Sequence, residues 1–149
     1  MGCSSRLVGY CEIGWLQPVR AWVGVGPKMV SEQEVTHFIR STFRSVWSLE
    51  LLLVVKNEPE RRWSRVDLVA SLRASELVVT RGLEELLASG LILMEEGGAA
   101  CYYPLSADLD RLVGETEALY ARSPNAVRRI IVSSASMNAF ADAFRLRKD

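Results

Sequence analysis

His37 is the single histidine of the chain, and no cysteine or carboxylate cluster at metal-ligand spacing stands near it. Neither a zinc site nor a Ser-His-Asp or Cys-His relay can be built around it, so it reads as a surface residue. The chain accordingly reads as a non-enzyme without metal or cofactor. Cys3, Cys11 and Cys101 form no CxxC pair and leave one thiol over in any pairing, which suits free thiols in a reducing compartment, with Cys101 in a structural role. Gly97-Gly98 follows one extended run and leads into another, so it does not form a phosphate-cradling loop before a helix. Guanidinium chemistry remains. Arg61, Arg62 and Arg65 make the densest basic patch of the central region. A guanidinium is a two-pronged donor to phosphate or carboxylate. Glu58 and Glu60 lie beside these arginines, so the patch reads either as a phosphate contact or as a solvated charge run.

These side chains must be positioned by a core, and the composition provides one: 149 residues, 49% hydrophobic and 24% charged, match a single globular domain with an appendage. Eighteen basic and eighteen acidic side chains give a formal net charge of zero, so attraction to nucleic acid or an anionic membrane has to come from local clustering. The most apolar early stretch, 15 to 26, is interrupted by Pro18 and Arg20, and no run is long enough to span a bilayer. The start touches the myristoylation pattern but carries Arg6 where Ser or Thr is needed. A cytoplasmic protein without a membrane partner is expected.

Residues 1 to 28, with Gly9, Gly14, Gly24, Gly26 and Pro27 and no periodicity, are predicted to be a poorly structured extension, and 29 to 149 the folded domain. Ser31 with Glu34 is a capping box. Apolar positions from Val35 to Val54 predict one long helix, stopped by Asn57, Glu58 and Pro59, with 60 to 63 a short polar connection. Ser64 with Asp67 opens a short second helix, Arg73 and Ala74 fill a tight turn, and Ser75 caps a third helix that Gly90 ends. Two apolar runs around Gly97-Gly98 predict a β-hairpin. Ser106 starts a further helix toward Arg122, Ser123-Pro124 another, and Ser136 caps a last one through Phe140 and Phe144. Trp47 and Trp63 read as core anchors.

The fold class is thus mainly α with a small β-hairpin. Its order of helix, short helix, tight turn, helix ending in Gly-Leu-Ile and hairpin resembles the winged helix-turn-helix regulators of the MarR type and their ArsR-like relatives, with additional N- and C-terminal helices. The resemblance covers roughly 45 to 105, through Leu68-Val69-Ala70-Ser71-Leu72, Ser75, Val79-Thr80-Arg81, Leu83, Leu86 and Ala88-Ser89-Gly90-Leu91-Ile92. It lies in the order of elements and not in a signature.

The resemblance implies a transcriptional regulator whose third helix, 75 to 89, lies in the major groove of double-stranded DNA. Ser75, Glu76, Thr80 and Arg81 would then face DNA. Arg81 would pair with guanine, Glu76 would accept from a cytosine amine, and Arg73 or Arg65 would hold the backbone. Arg81 can equally pair along its own helix with Glu84 or Glu85. The resemblance also implies homodimerisation, because 31 to 55 and 106 to 147 carry more apolar surface than one small core needs. A cationic tail at Arg145, Arg147 and Lys148 either contacts phosphate or complements its helix dipole.

One feature opposes DNA binding. Between Asn57 and Tyr103 five arginines stand against eight acids, a balance of minus 3, and no Lys or Arg occurs between Arg81 and Arg111. The hairpin therefore offers Glu95 and Glu96 where related regulators present a cation. The rival reading is a winged helix turned protein-interaction module, and a third is a small-molecule sensor with a pocket between the dimer helices and the winged core.

Overall fold

In the computed structural model, which describes residues 29 to 145, a serine in extended backbone stands at the front of five helices. These are α1 (Glu32–Thr42), α2 (Val46–Asn57), α3 (Arg65–Leu72), α4 (Glu76–Ala88) and α5 (Ala107–Arg122), capped by Ser31, Ser45, Ser64, Ser75 and Ser106. Each serine oxygen accepts from the backbone N–H three residues on and so satisfies one of the amides a helix start leaves unpaired. At Ser31 the box is complete, with Glu34 accepting from the Ser31 amide at 2.8 Å. A sixth helix, α6 (Pro124–Arg145), follows Ser123 directly.

The helix expected over 31 to 57 is two helices. Phe43 is extended (φ −104°, ψ 119°) and wholly buried, edge-on to Phe38 at 5.8 Å between ring centroids. Burying that ring turns the chain, and Ser45, extended in its turn, caps α2 by accepting from Ser48 N at 3.2 Å. Periodicity ran on through the break because apolar residues sit on both sides of it. The last cap expected, Ser136, is also corrected: α6 is unbroken there, and the Ser136 hydroxyl donates back to the Val132 carbonyl at 3.0 Å inside the helix.

Gly90 ends α4 with φ +69°, and the Leu91 and Gly90 amides donate to the Leu86 and Leu87 carbonyls, both at 3.1 Å. This is the paired bonding of a Schellman cap, which needs a left-handed residue at that point. The chain then enters β1 (Ile92–Met94), which pairs antiparallel with β2 (Ala100–Tyr102) in the register Ile92 to Tyr102 and Met94 to Ala100. The Gly98 amide donates to the Glu95 carbonyl at 2.9 Å, and Gly98, at φ +76°, closes the turn. The predicted hairpin is therefore present. It has a third member within the connection expected over 60 to 63: Trp63 exchanges two backbone hydrogen bonds with Ala100, at 2.9 and 2.8 Å.

The helices form two groups. α1, α5 and α6 pack on one another, while α2, α3, α4 and the hairpin make the other, and α2 also reaches α6. α2 is apolar almost all round, and Leu49, Leu51, Leu52 and Val55 are buried, as its central place requires. It packs tightly on α4 at Gly82, where a Cβ would lie 3.1 Å from a Leu51 methyl and 3.7 Å from the Ser48 Cα. Trp63 is buried as expected, but Trp47 is 43% exposed and does not anchor the core. Residues 1 to 28 and the end of the cationic tail, 146 to 149, lie outside the described residues.

Candidate functional site

α3 and α4 meet at a three-residue turn, Arg73, Ala74 and Ser75, and the sequence-predicted site residues gather around it. Arg73 takes a left-handed conformation (φ 51°, ψ 34°), the one non-glycine among the described residues with positive φ. A side chain in that region costs about 1 to 2 kcal/mol, and here it reverses the chain in few residues while leaving the guanidinium exposed. Ser75 spends its oxygen on the Val78 amide at 3.4 Å as the α4 cap. Its hydroxyl hydrogen and the rest of the side chain stay at the surface.

α4 buries Val79, Gly82, Leu83 and Leu86. The opposite side carries Leu77, Arg81 and Glu84 exposed, with Thr80 half-buried between them. These positions fall at spacings of three and four and so form one outward stripe. Thus Ser75, Glu76, Thr80 and Arg81 come together on the front of α4, and Arg65 joins them from the first turn of α3 through an ion pair to Glu76 at 3.8 Å. That pair is largely in solvent, where such contacts contribute little.

The arginines from 61 to 81 divide into two sets. Arg61 lies over the Trp63 ring, 3.9 Å from its centroid, and pairs with Glu58 at 3.1 Å. Arg62 holds Glu95 of the hairpin at 3.0 Å, and Arg65 holds Glu76. Arg73 and Arg81 have no ion pair or hydrogen bond with any described residue. The intrahelical pairing of Arg81 with Glu85 does not form, because Glu85 instead accepts from the Ser48 hydroxyl across the Gly82 contact. Nothing in a linear sequence signalled that bond or the Arg62 to Glu95 pair, since the partners lie 37 and 33 positions apart.

Polar contacts also fix the hairpin and α2 to the other helix group. The Tyr102 hydroxyl donates to Asp110 Oδ1 at 2.7 Å, and burial, together with that bond and the nearby Asp110 and Glu117 carboxylates, pushes its pKa well above the ordinary phenol value. Lys56 of α2 pairs with Glu117 of α5. Tyr120 donates to Glu50 at 3.0 Å and accepts from Arg128 at 3.1 Å.

Between α1 and α5 lies an open cavity of about 480 Å³, lined in part by Val30, His37, Phe38, Asp108 and Arg111. His37 is exposed at its edge. Cys101 is buried, and its thiol donates weakly to the Leu93 carbonyl at 3.8 Å. No group of three or more histidine, cysteine or acidic side chains that could hold a metal occurs among the described residues. No helix among them is long and apolar enough to cross a membrane. No family model, curated protein or solved structure matches the chain.

Proposed function

We propose that the chain is a winged helix-turn-helix transcriptional regulator that binds double-stranded DNA, with α4 in the major groove and the β1–β2 hairpin as its wing. The observation that carries this reading is the contrast among the arginines from 61 to 81: Arg61, Arg62 and Arg65 each lie beside an acid, whereas Arg73, in the α3–α4 turn, and Arg81, on the outer side of α4, are exposed and have no ion pair with a described residue. An unpaired guanidinium on the front of a helix is available to a guanine edge, and one on the preceding turn to phosphate. Thr80 and Leu77 add a hydroxyl and a methyl-bearing surface beside Arg81, as base-edge contacts use. The N-terminus of α4 adds its dipole, partly offset by Glu76. The protein acts in the cytoplasm as a homodimer through its flanking helices α1, α5 and α6, so that two α4 helices address a two-fold symmetric site.

Binding of the full chain to genomic DNA fragments, measured by fluorescence anisotropy over a salt series, tests the reading. Arg81→Ala should weaken the preferred sequence by about 1 to 3 kcal/mol, leave non-specific binding nearly unchanged and leave stability within about 0.5 kcal/mol. Absence of binding at low salt ends the proposal.

A protein-interaction module is the second reading. The hairpin tip carries Glu96 exposed and no cation, and Val66 of α3 and Leu77 of α4, at 76% and 59% exposed, put apolar surface in contact with solvent. Under that reading Leu77→Glu abolishes capture of a protein partner while Arg81→Ala does not.

A further inference from the structure

α6 is 22 residues long, about 33 Å, but it packs on the body only through its first half, where Val127, Ile131 and Ser134 are buried. All ten residues from Ser136 to Arg145 are exposed. This free half is apolar where a free helix is usually polar. Met137, Phe140 and Phe144 are 74%, 68% and 59% exposed, and the two rings meet edge-on at 4.9 Å. Followed toward the N-terminus at steps of four and three residues, the same stripe continues through Ser133, Ile130 and Ala126. It lies about a quarter turn round the helix from the buried face: Ser133 is exposed, while Ala126 and Ile130 are partly covered by the body and keep an outer edge at the surface.

We infer that this stripe is the seam of an antiparallel α6 to α6 pair, occupied by a second copy of the chain, an inference that rests on the proposed homodimer and specifies its contact. Residue sizes along the stripe carry the choice of partner and direction. Spacings of four and three are those of two helices packing knobs into holes. With a two-fold axis at residue 135, Phe144 of one copy meets Ala126 of the other, Phe140 meets Ile130, and Met137 meets Ser133. Every layer sets a larger side chain against a smaller one, which fills an interface without voids or overlap. A parallel pair in register would set Phe144, Phe140 and Met137 each against itself, crowding one end and leaving Ser133 and Ala126 facing gaps.

Length and charge agree with this seam. The free half of each copy has ten residues and the packed half, 124 to 135, twelve, so each free half lies along the other copy's base. The register sets Arg128 level with Asp142, Arg129 with Ala141 and Arg145 with Asn125, so no like charges are opposed. A Phe side chain carries about 150 to 250 Å², and Phe140 and Phe144 leave more than half of theirs in water, which pairing would remove.

Sedimentation equilibrium of the full chain at micromolar concentration tests the seam. The wild-type chain should be a dimer, and Phe140→Glu a monomer with an unchanged circular dichroism spectrum, since residue 140 is exposed, and with a Tm that no longer rises with protein concentration. A wild-type monomer, or a Phe140→Glu dimer, overturns the seam. Direction is tested by oxidative crosslinking with Cys3 and Cys11 changed to serine. A mixture of Ser133→Cys and Met137→Cys chains should crosslink to each other, and neither should crosslink alone. Crosslinking of Ser133→Cys to itself overturns the antiparallel arrangement. A dimer that passes both tests yet ignores DNA keeps the seam and discards the DNA reading, and a monomer that binds DNA does the converse.

Discussion

Arg62 Nε, just before α3, lies 3.0 Å from Glu95 Oε1 at the start of the hairpin turn. The pair takes an acid out of the hairpin's field and equally takes a cation away from any DNA backbone. Removing the acid should therefore help DNA binding. Glu95→Gln is expected to cost no more than about 1 kcal/mol of stability, because the pair is partly solvated, and to tighten DNA binding with a steeper salt dependence as Arg62 is released. Anisotropy titrations of the variant at several salt concentrations check this, and an unchanged slope counts against it.

Arg73 separates a backbone role from a charge role. Arg73→Gly relieves the left-handed conformation and should raise stability by up to about 1 kcal/mol in urea unfolding. The same variant loses the unpaired cation, so it should weaken DNA binding uniformly across sequences. Arg73→Lys, by contrast, keeps binding. A stability loss in Arg73→Gly would show that the guanidinium has a structural partner.

Gly82 and Leu51 should be coupled. Gly82→Leu drives a side chain into the Leu51 methyl and the Ser48 backbone, and overpacking of this kind costs about 1 to 3 kcal/mol. Leu51→Ala alone leaves a cavity costing about 2 to 5 kcal/mol. The double variant should be less destabilised than the two losses combined, by about 0.5 to 3 kcal/mol. Simple additivity in urea unfolding would place the two residues apart.

Tyr102 predicts an alkaline limit. Its pKa is raised in the folded state by burial and by the bond to Asp110, while in the unfolded chain it ionises near about 10. The unfolded state then releases a proton that the folded state retains, so the contribution to stability is complete below about pH 10 and is lost as pH rises above it. Tyr102→Phe should flatten the fall in stability between about pH 9 and pH 11. An unchanged slope would assign that fall to other groups.

Local chemistry made much of this structure legible from sequence. Ser31, Ser64, Ser75 and Ser106 announce their helices because a cap is a short-range bond between a hydroxyl and an amide three residues on. Gly90 and the Gly97-Gly98 turn are visible for a similar reason, since each answers a backbone requirement of its own position. The grouping of Ser75, Glu76, Thr80 and Arg81 on the front of α4 comes from the resemblance in element order, with which helical spacing agrees. Tertiary choices stayed hidden. The break at Phe43 depends on where a ring finds its pocket, and Trp63 forms its bridge because Ala100 arrives beside it from 37 positions on. Which arginines are spent on acids is likewise a matter of which distant carboxylate the fold delivers.

The central position of α2 leaves it almost no side open to change. Of its twelve residues only Trp47 and Asn57, one near each end, are exposed, and the polar side chains between them are already committed: Ser48 to Glu85, Glu50 to Tyr120 and Lys56 to Glu117. A library of random substitutions over 46 to 57 should therefore yield fewer folded clones than any other stretch of equal length, with survivors concentrated at positions 47 and 57.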